Sequence, residues 1–393
     1  MRQAYVSPMF FVSRKLPMFP VRCLRLSLLT TLGLCITTAA HAAGPSLGDA
    51  IRQADSRYLE APETGLVDSS PKIVVGGGEE GLAPLDEEIS LGKLRVTLTY
   101  VEEAGAKKPA GKSTLQDIPE EAMLPDEMGL GETVPHAPVV TVYFDGPAPV
   151  TLPADDDADM ADGVEASPAG PRIVATLKGD SNGSSDPPVS IQIAELDPNN
   201  PYPEIVVSFF SGGAHCCSVT YIITSNADGS DWKTIDVGEF DGGPLLAVDL
   251  DGNGVYEFET RDNAFLYAFA CYACSEAPLQ VLALTDGKLK DVSTDARFKP
   301  AHAAWLKSMI VGVPEEEVNG FLAGYVAQKT RLGEGKQAWD LMLKHYDRKA
   351  DWGLEICSKA RDKTGNCPGK TTKVAFPEAL KHMLKENGYR IEG

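Results

Sequence analysis

The chain has 393 residues, with 36 Lys+Arg against 56 Asp+Glu and a formal net charge of −20. Hydrophobic residues make up 43% and charged residues 23%, a globular balance that excludes wholesale disorder and fibrous sequence. The acidity argues against nucleic acid as a general partner, because phosphate backbones select a positive surface, and the length suits two or three domains.

At the N-terminus, Arg22 and Arg25 open a short apolar run that continues to Ile36 and leads into Thr37-Thr38-Ala39-Ala40-His41-Ala42. A positive end, a short apolar stretch and small residues at the cut are the order of a signal peptide, so residues 1–42 are read as one. The run is about half the ~20 residues that a bilayer-spanning helix needs, so no membrane span is expected after cleavage. Leu34 before Cys35 argues against a lipoprotein, and Met18 is an alternative start. The mature protein is expected to be periplasmic or secreted. Without residues 1–42 its charge becomes −25, and it is uneven. Residues 43–298 carry 15 basic and 44 acidic side chains, whereas 299–393 carry 16 and 12.

A lead segment, 43–71, offers a short helix capped by Ser46 with Leu47, Ile51 and Tyr58 on one side. An acidic β-rich domain follows over 72–298. Strands are predicted at 72–75, 94–100 and 139–144 from alternating β-branched and aromatic residues. Residues 116–165 hold 13 acidic residues and no Lys or Arg, and Pro153–Asp162 within them is read as a solvated, self-repelling loop. Strand signals are densest over 172–293, with hairpin turns predicted at Asn226-Ala227-Asp228-Gly229 and Asp286-Gly287. This region contains an internal repeat. The stretch from Glu195 to Ile205 aligns with that from Asp249 to Phe258, with one extra residue in the first copy and a period of 54 residues from Asp197 to Asp251.

From 299 to 393 the period becomes helical. Val318, Phe321, Leu322, Tyr325 and Val326 mark one helix, with Pro314 and three glutamates placed at its start. Trp339, Met342, Leu343 and Tyr346 mark a second, and Ala379, Leu380, Met383 and Leu384 a third that stops at Asn387-Gly388. Gly320 and Gly324 are expected to admit a closely packed partner helix. The expected fold is mainly β, a propeller-like or sandwich repeat region, with a C-terminal α-helical domain.

The strongest chemical motif is Asp249-x-Asp251-x-Asn253-Gly254-x-x-Glu257. Alternate side chains at positions 1, 3 and 5 bring oxygens to one centre and Gly254 permits the sharp turn. The Val255 carbonyl supplies a neutral ligand, and Glu257 closes the shell. Hard oxygen ligands in that number select Ca²⁺. An EF-hand is excluded, since its glutamate falls at position 12 between helices. The loop resembles the FG-GAP/VCBS type of extracellular calcium-loop repeat over about residues 190–280. That resemblance implies a structural Ca²⁺ at Asp249, Asp251, Asn253 and Glu257 and a propeller-like arrangement. In the other copy Glu195, Asp197 and Asn199 keep oxygen ligands, but the glycine is missing and prolines stand at 198, 201 and 203, which argues against an ion there.

Six cysteines remain after residue 42: Cys216, Cys217, Cys271, Cys274, Cys357 and Cys367. An even number in an exported chain reads as disulfides. Cys357–Cys367 is the expected pair in the helical region. For the other four, cross-bridges between Cys216-Cys217 and Cys271-x-x-Cys274 are preferred to a vicinal bridge, because they close a loop of about 55 residues, for ~3–4 kcal/mol in the chain-entropy model. Two rivals remain: Zn²⁺ or copper on His215 and these four cysteines, and a redox pair at Cys271 and Cys274.

No catalytic constellation is assigned. Ser211-Gly212-Gly213-Ala214-His215 lacks the nucleophile elbow and an orienting acid. The expected role is binding or structural, toward a protein or glycan partner in the cell envelope. The alternatives are an envelope hydrolase using the His215 region and a Cys/His metal-binding protein.

Overall fold

The computed structural model describes residues 45–62, 70–75, 86–103, 134–146, 170–213, 217–241, 243–359 and 366–391. The signal peptide, the acidic loop Pro153–Asp162, His215 and Cys216 lie outside them. The described chain is mainly β, with four antiparallel sheets and a C-terminal helical region.

Strand β1 (Lys72–Val75) is followed by three four-stranded meanders in succession. The first is β2 (Glu87–Leu91), β3 (Leu94–Glu102), β4 (His136–Phe144) and β5 (Arg172–Lys178). The second is β6 (Val189–Ala194), β7 (Glu204–Phe210), β8 (Ser218–Ser225) and β9 (Trp232–Phe240), with β1 added beside β6. The third is β10 (Ala247–Val248), β11 (Glu257–Arg261), β12 (Leu279–Thr285) and β13 (Lys288–Asp291). Both predicted turns form. Asp286 and Gly287 both have positive φ, 53° and 69°, the pair that a two-residue hairpin twisted like its strands requires.

The sheets stack in series. Leu94, Val96 and Leu98 of β3 and Val140 and Val142 of β4 meet Ile191 and Ile193 of β6 and Ile205 and Val207 of β7 in one core. The opposite face of the middle sheet, through Val206 and Ile222, packs on Ala247, Phe258, Leu282 and Leu284 of the third. Strands β6 and β7 are therefore covered on both faces, which explains why every residue of β6 and all but the last of β7 are buried, Ser190, Gln192, Glu204 and Ser208 included. No sheet closes on itself, and the ring of a propeller is not seen among the described residues. The first meander escaped sequence reading as a repeat because none of its connections has the Asp-x-Asp-x-Asn-Gly spacing.

The outer face of the third sheet meets the helices through Leu250, Leu279, Val281, Phe298 and Ala301. Helix α1 (Leu47–Ala54) has the Ser46 cap, whose hydroxyl accepts from Asp49 N at 3.2 Å. Its Ile51 is fully buried in the helical core, so residues 45–62 belong to the helical body rather than standing apart as a lead segment. That body contains α2 (Lys299–Val311), α3 (Val318–Arg331), α4 (Gly335–His345) and α5 (Phe376–Glu386), with a small hairpin of β14 (Glu355–Cys357) and β15 (Thr371–Lys373) before α5.

Helix α3 is central and buried from Asn319 to Lys329. The three glutamates precede it rather than forming its first turn. The expected partner helix at Gly320 and Gly324 is replaced by a loop. A Cβ on Gly320 would lie 2.7 Å from the Cys274 carbonyl oxygen, and one on Gly324 would lie 2.2 Å from that of Glu276. The small residues admit the backbone beside the Cys271–Cys274 turn.

Candidate functional site

Asp249–Glu257 joins β10 to β11, so strands flank the loop on both sides. Gly252 and Gly254 have φ of 76° and 86° and turn the chain back. Asp249 gathers the loop: its Oδ1 accepts from Gly252 N at 2.8 Å and Asn253 N at 3.1 Å, and its Oδ2 from Gly254 N at 2.9 Å. One carboxylate oxygen each from Asp249, Asp251 and Glu257 comes within 4.8 Å of the others. Asn253 is placed differently from expectation, because its Oδ1 turns back to accept from Val255 N at 2.7 Å. The structure thus brings together three of the five predicted ligands as a carboxylate cluster, with Asn253 and Val255 bonded to each other at its side.

Glu257 is the first residue of β11 and its side chain is 1% exposed. Leu250 N donates to its Oε2 at 3.3 Å, and the guanidinium of Arg297 stands 3.7 Å from Oε1. Burial pushes its carboxyl up to about 7; Asp251 and Asp249 add to the shift, while Leu250 N and Arg297 oppose it. Arg297, 46 residues beyond Asp251, also reaches Asp251 Oδ2 at 3.2 Å and Asp295 at 3.3 Å. Sequence reading missed this arginine, which comes from the turn before α2. The donor set fits a hard divalent cation: three carboxylates converge, one of them buried, and a single arginine opposes them.

The first repeat copy occupies the equivalent place, between β6 and β7, and the corresponding glutamate again opens the outgoing strand. Leu196 N donates to Glu204 Oε2 at 2.8 Å, as Leu250 N does to Glu257. Here Asp197 N adds a second bond at 3.1 Å, and Asn200 Nδ2 and Thr224 Oγ1 donate to Oε1 at 2.5 and 2.8 Å. Neutral donors fill the position that a cation would take. The two copies also touch. Tyr256 N donates to Glu195 O at 2.7 Å, and the Gln192 side-chain amide pairs with both backbone groups of Ala247 at 2.7 Å each.

The cysteines pair locally. Cys271 bonds Cys274 across a short turn with Cα atoms 4.9 Å apart, and Cys357 bonds Cys367 at 5.7 Å. Cys217 is also disulfide-bonded, and since the other four are taken, its partner lies outside the described residues. The preferred cross-bridge to Cys271 or Cys274 is therefore corrected: three residues of separation already bring those two sulfurs together. Bonded sulfurs also remove Cys271 and Cys274 from the zinc or copper reading.

A buried charge network went unread. Lys329 of α3, 1% exposed, ion-pairs with Asp55 and Glu334, Tyr325 donates to Asp55 at 2.5 Å, and Tyr58 to Glu334 at 2.6 Å. Apart from Lys329–Glu334, these partners lie 270 to 276 residues apart and leave no periodic signal. The network fastens residues 45–62 to α3.

A family model described as the sll0997 C-terminal domain matches residues 301–388. The chain is 44% identical over 223 residues to a probable thylakoid lumen protein, sll0997, of Synechocystis sp. (strain ATCC 27184 / PCC 6803 / Kazusa), an alignment covering 56% of this chain and 65% of that protein. It is 37% identical over 222 residues to the uncharacterized protein y4bJ of Sinorhizobium fredii (strain NBRC 101917 / NGR234), covering 55% of this chain and 35% of that one. The chain thus spans less than two thirds of the length of either relative. No solved structure matches. No helix among the described residues is long and apolar enough to cross a membrane.

Proposed function

We propose that the chain is an exported, calcium-binding, disulfide-stabilised β-repeat protein of the FG-GAP/VCBS kind, with a binding or structural role in the cell envelope. The carrying observation is the convergence of Asp249, Asp251 and Glu257 within 4.8 Å on a loop whose glycines hold the turn. Calcium there would fix β10 to β11 and, through the Tyr256–Glu195 bond, the third sheet to the second. Export is supported by the signal-like residues 1–42, by the disulfides, and by similarity to a probable lumenal protein, a comparably enclosed compartment. A protein or glycan partner is supported by Tyr267 and Trp352, which are 48% and 50% exposed and joined by a Trp352 Nε1–H bond to Tyr267 O at 2.8 Å.

Calorimetric titration with Ca²⁺, and melting in Ca²⁺ against EDTA, test the reading. Saturable binding and a raised midpoint, both lost in Asp251→Ala, are expected. A midpoint identical in Ca²⁺ and EDTA removes calcium from the account. Intact mass of the exported protein should place its first residue at Ala43 or Gly44.

A further inference from the structure

A second site lies in the helical region, away from the acidic loops. A cavity of about 510 Å³ is lined by Thr294 and Lys299 before and at the start of α2, Arg331 at the end of α3, Gly335 at the start of α4, and Tyr389 and Arg390 after α5. Its volume falls in the range of small-molecule sites. Three of its lining residues are cations, and among the described lining residues there is no Asp or Glu. In a chain of net charge −20 that is an unusual concentration of positive charge.

Arg331 is the most buried of these three cations. Its side chain is only 10% exposed, yet its Nε is buried without a hydrogen-bond partner. Its nearest counter-charge is long, Asp291 Oδ2 at 3.9 Å from one terminal nitrogen. That Oδ2 also accepts from Gln280 Nε2 at 3.2 Å, while Asp291 Oδ1 accepts from Ser293 N at 2.9 Å and Ser293 Oγ at 2.5 Å. The guanidinium lies over the Tyr389 ring at 4.4 Å, and Tyr389 is anchored by its hydroxyl bond to Asp262 at 2.8 Å, so the plane of donors is held in place. The Nε has no access to the cavity, so a ligand there meets the terminal guanidinium nitrogens, whose fork suits two oxygens at once. Beside it, α4 begins without a side-chain cap, because the Glu334 carboxylate is drawn to Lys329, Arg57 and Tyr58. The free amides of an eleven-residue helix therefore open at Gly335, on the cavity wall, with the positive end of the helix dipole.

We infer that this cavity binds a doubly charged tetrahedral oxyanion, a phosphate group, with Arg331 as its bidentate anchor and Lys299 and Arg390 as outer cations. Three cations match two negative charges better than the single charge of a carboxylate, and the volume leaves room for an organic portion attached to the phosphate.

Titration calorimetry of the full exported chain with inorganic phosphate, glycerol phosphate and acetate, in a chloride buffer of fixed ionic strength, tests it. Saturable binding of either phosphate compound is expected, reduced about tenfold or more in Arg331→Gln and about threefold in Arg390→Gln. Tighter binding of glycerol phosphate than of phosphate assigns the remaining volume to an organic group, while equal affinities assign a free-phosphate site; either supports the inference. Arg390 is exposed, so its variant stays informative if Arg331→Gln does not fold. No saturation by about 10 mM phosphate or ester, acetate binding as tight as phosphate, or affinity unchanged in Arg390→Gln and in a folded Arg331→Gln overturns it.

Discussion

The two loops that open β7 and β11 share a backbone plan and differ in how they neutralise a buried glutamate. Glu204 receives four hydrogen bonds from neutral groups, two backbone amides, Asn200 and Thr224. Glu257 receives one amide at 3.3 Å and an arginine at 3.7 Å. Burial raises both carboxyls, and Glu257 reaches about 7. One copy has become a self-sufficient hydrogen-bonded corner, and the other keeps a deficit of positive charge. The extra residue and the prolines that spoil the ligand spacing in the first copy also bring Asn200 within reach of Glu204. Divergence of a repeat is here a change in the type of donor, with the strand connection unaltered.

The comparison breaks most visibly at Glu204. Glu204→Ala leaves two amides, an Asn amide and a Thr hydroxyl without their acceptor, so unfolding stability should fall by about 3 kcal/mol or more, equally in Ca²⁺ and in EDTA, as read from urea midpoints. A calcium-dependent loss there would mean that the first copy also holds an ion. Next in size is the response to the ion itself. At a concentration about 100-fold above its dissociation constant, Ca²⁺ should add ~2.7 kcal/mol to the native protein and nothing to Asp251→Ala. Smaller still is Glu257→Gln in EDTA at pH 8. Neutralising a poorly compensated buried carboxylate should leave stability unchanged or raise it by up to about 1 kcal/mol while abolishing the calcium response. A large loss in EDTA would show that Arg297 alone satisfies Glu257 and that the two loops are equivalent.

Much of this contrast was legible in the sequence, and what was not has a common cause. Alternating runs located β1, β3 and β4, and a 3.6 period located α3, α4 and α5, because each pattern is local and reports which faces are buried. The ligand spacing of Asp249–Glu257 is equally local, and so is the Asp286-Gly287 turn. Arg297 at Glu257, Lys329 at Asp55 and the Gln192 bond to Ala247 are contacts across the chain with no spacing rule to betray them. Gly320 and Gly324 announced a close approach but not its partner; the disulfide turn takes that place, since Cys271 and Cys274 bond each other. The cross-bridge expected from loop entropy failed because that argument weighs the unfolded chain and ignores which sulfurs the native turn brings together.

The smallest effect separates the loops from the rest of the molecule by pH. His302 in α2 is 1% exposed, with its ring bonded to Ser293 O at 2.8 Å and to Gln328 Nε2 at 3.2 Å, so the imidazole is neutral with its proton on Nε2. Burial lowers its pKa below the usual 6.5; Arg331 lowers it further, while the Ser293 and Gln328 bonds and Asp291 act the other way. The unfolded chain therefore takes up the proton first. Stability is full above about 6.5, falls as the pH drops through that value, and levels off below the folded pKa. In the absence of calcium Glu257 acts in the opposite sense, since a carboxyl raised to about 7 destabilises the fold as pH rises from the ordinary 4.5. A bound ion that holds Glu257 ionised removes that opposing contribution. The denaturation midpoint should accordingly fall more between pH 7.5 and pH 5.5 in Ca²⁺ than in EDTA, and Asp251→Ala should show the EDTA-like slope in both media. Equal slopes for the native protein in the two media would place the whole pH dependence in the helical body and leave the two loops indistinguishable.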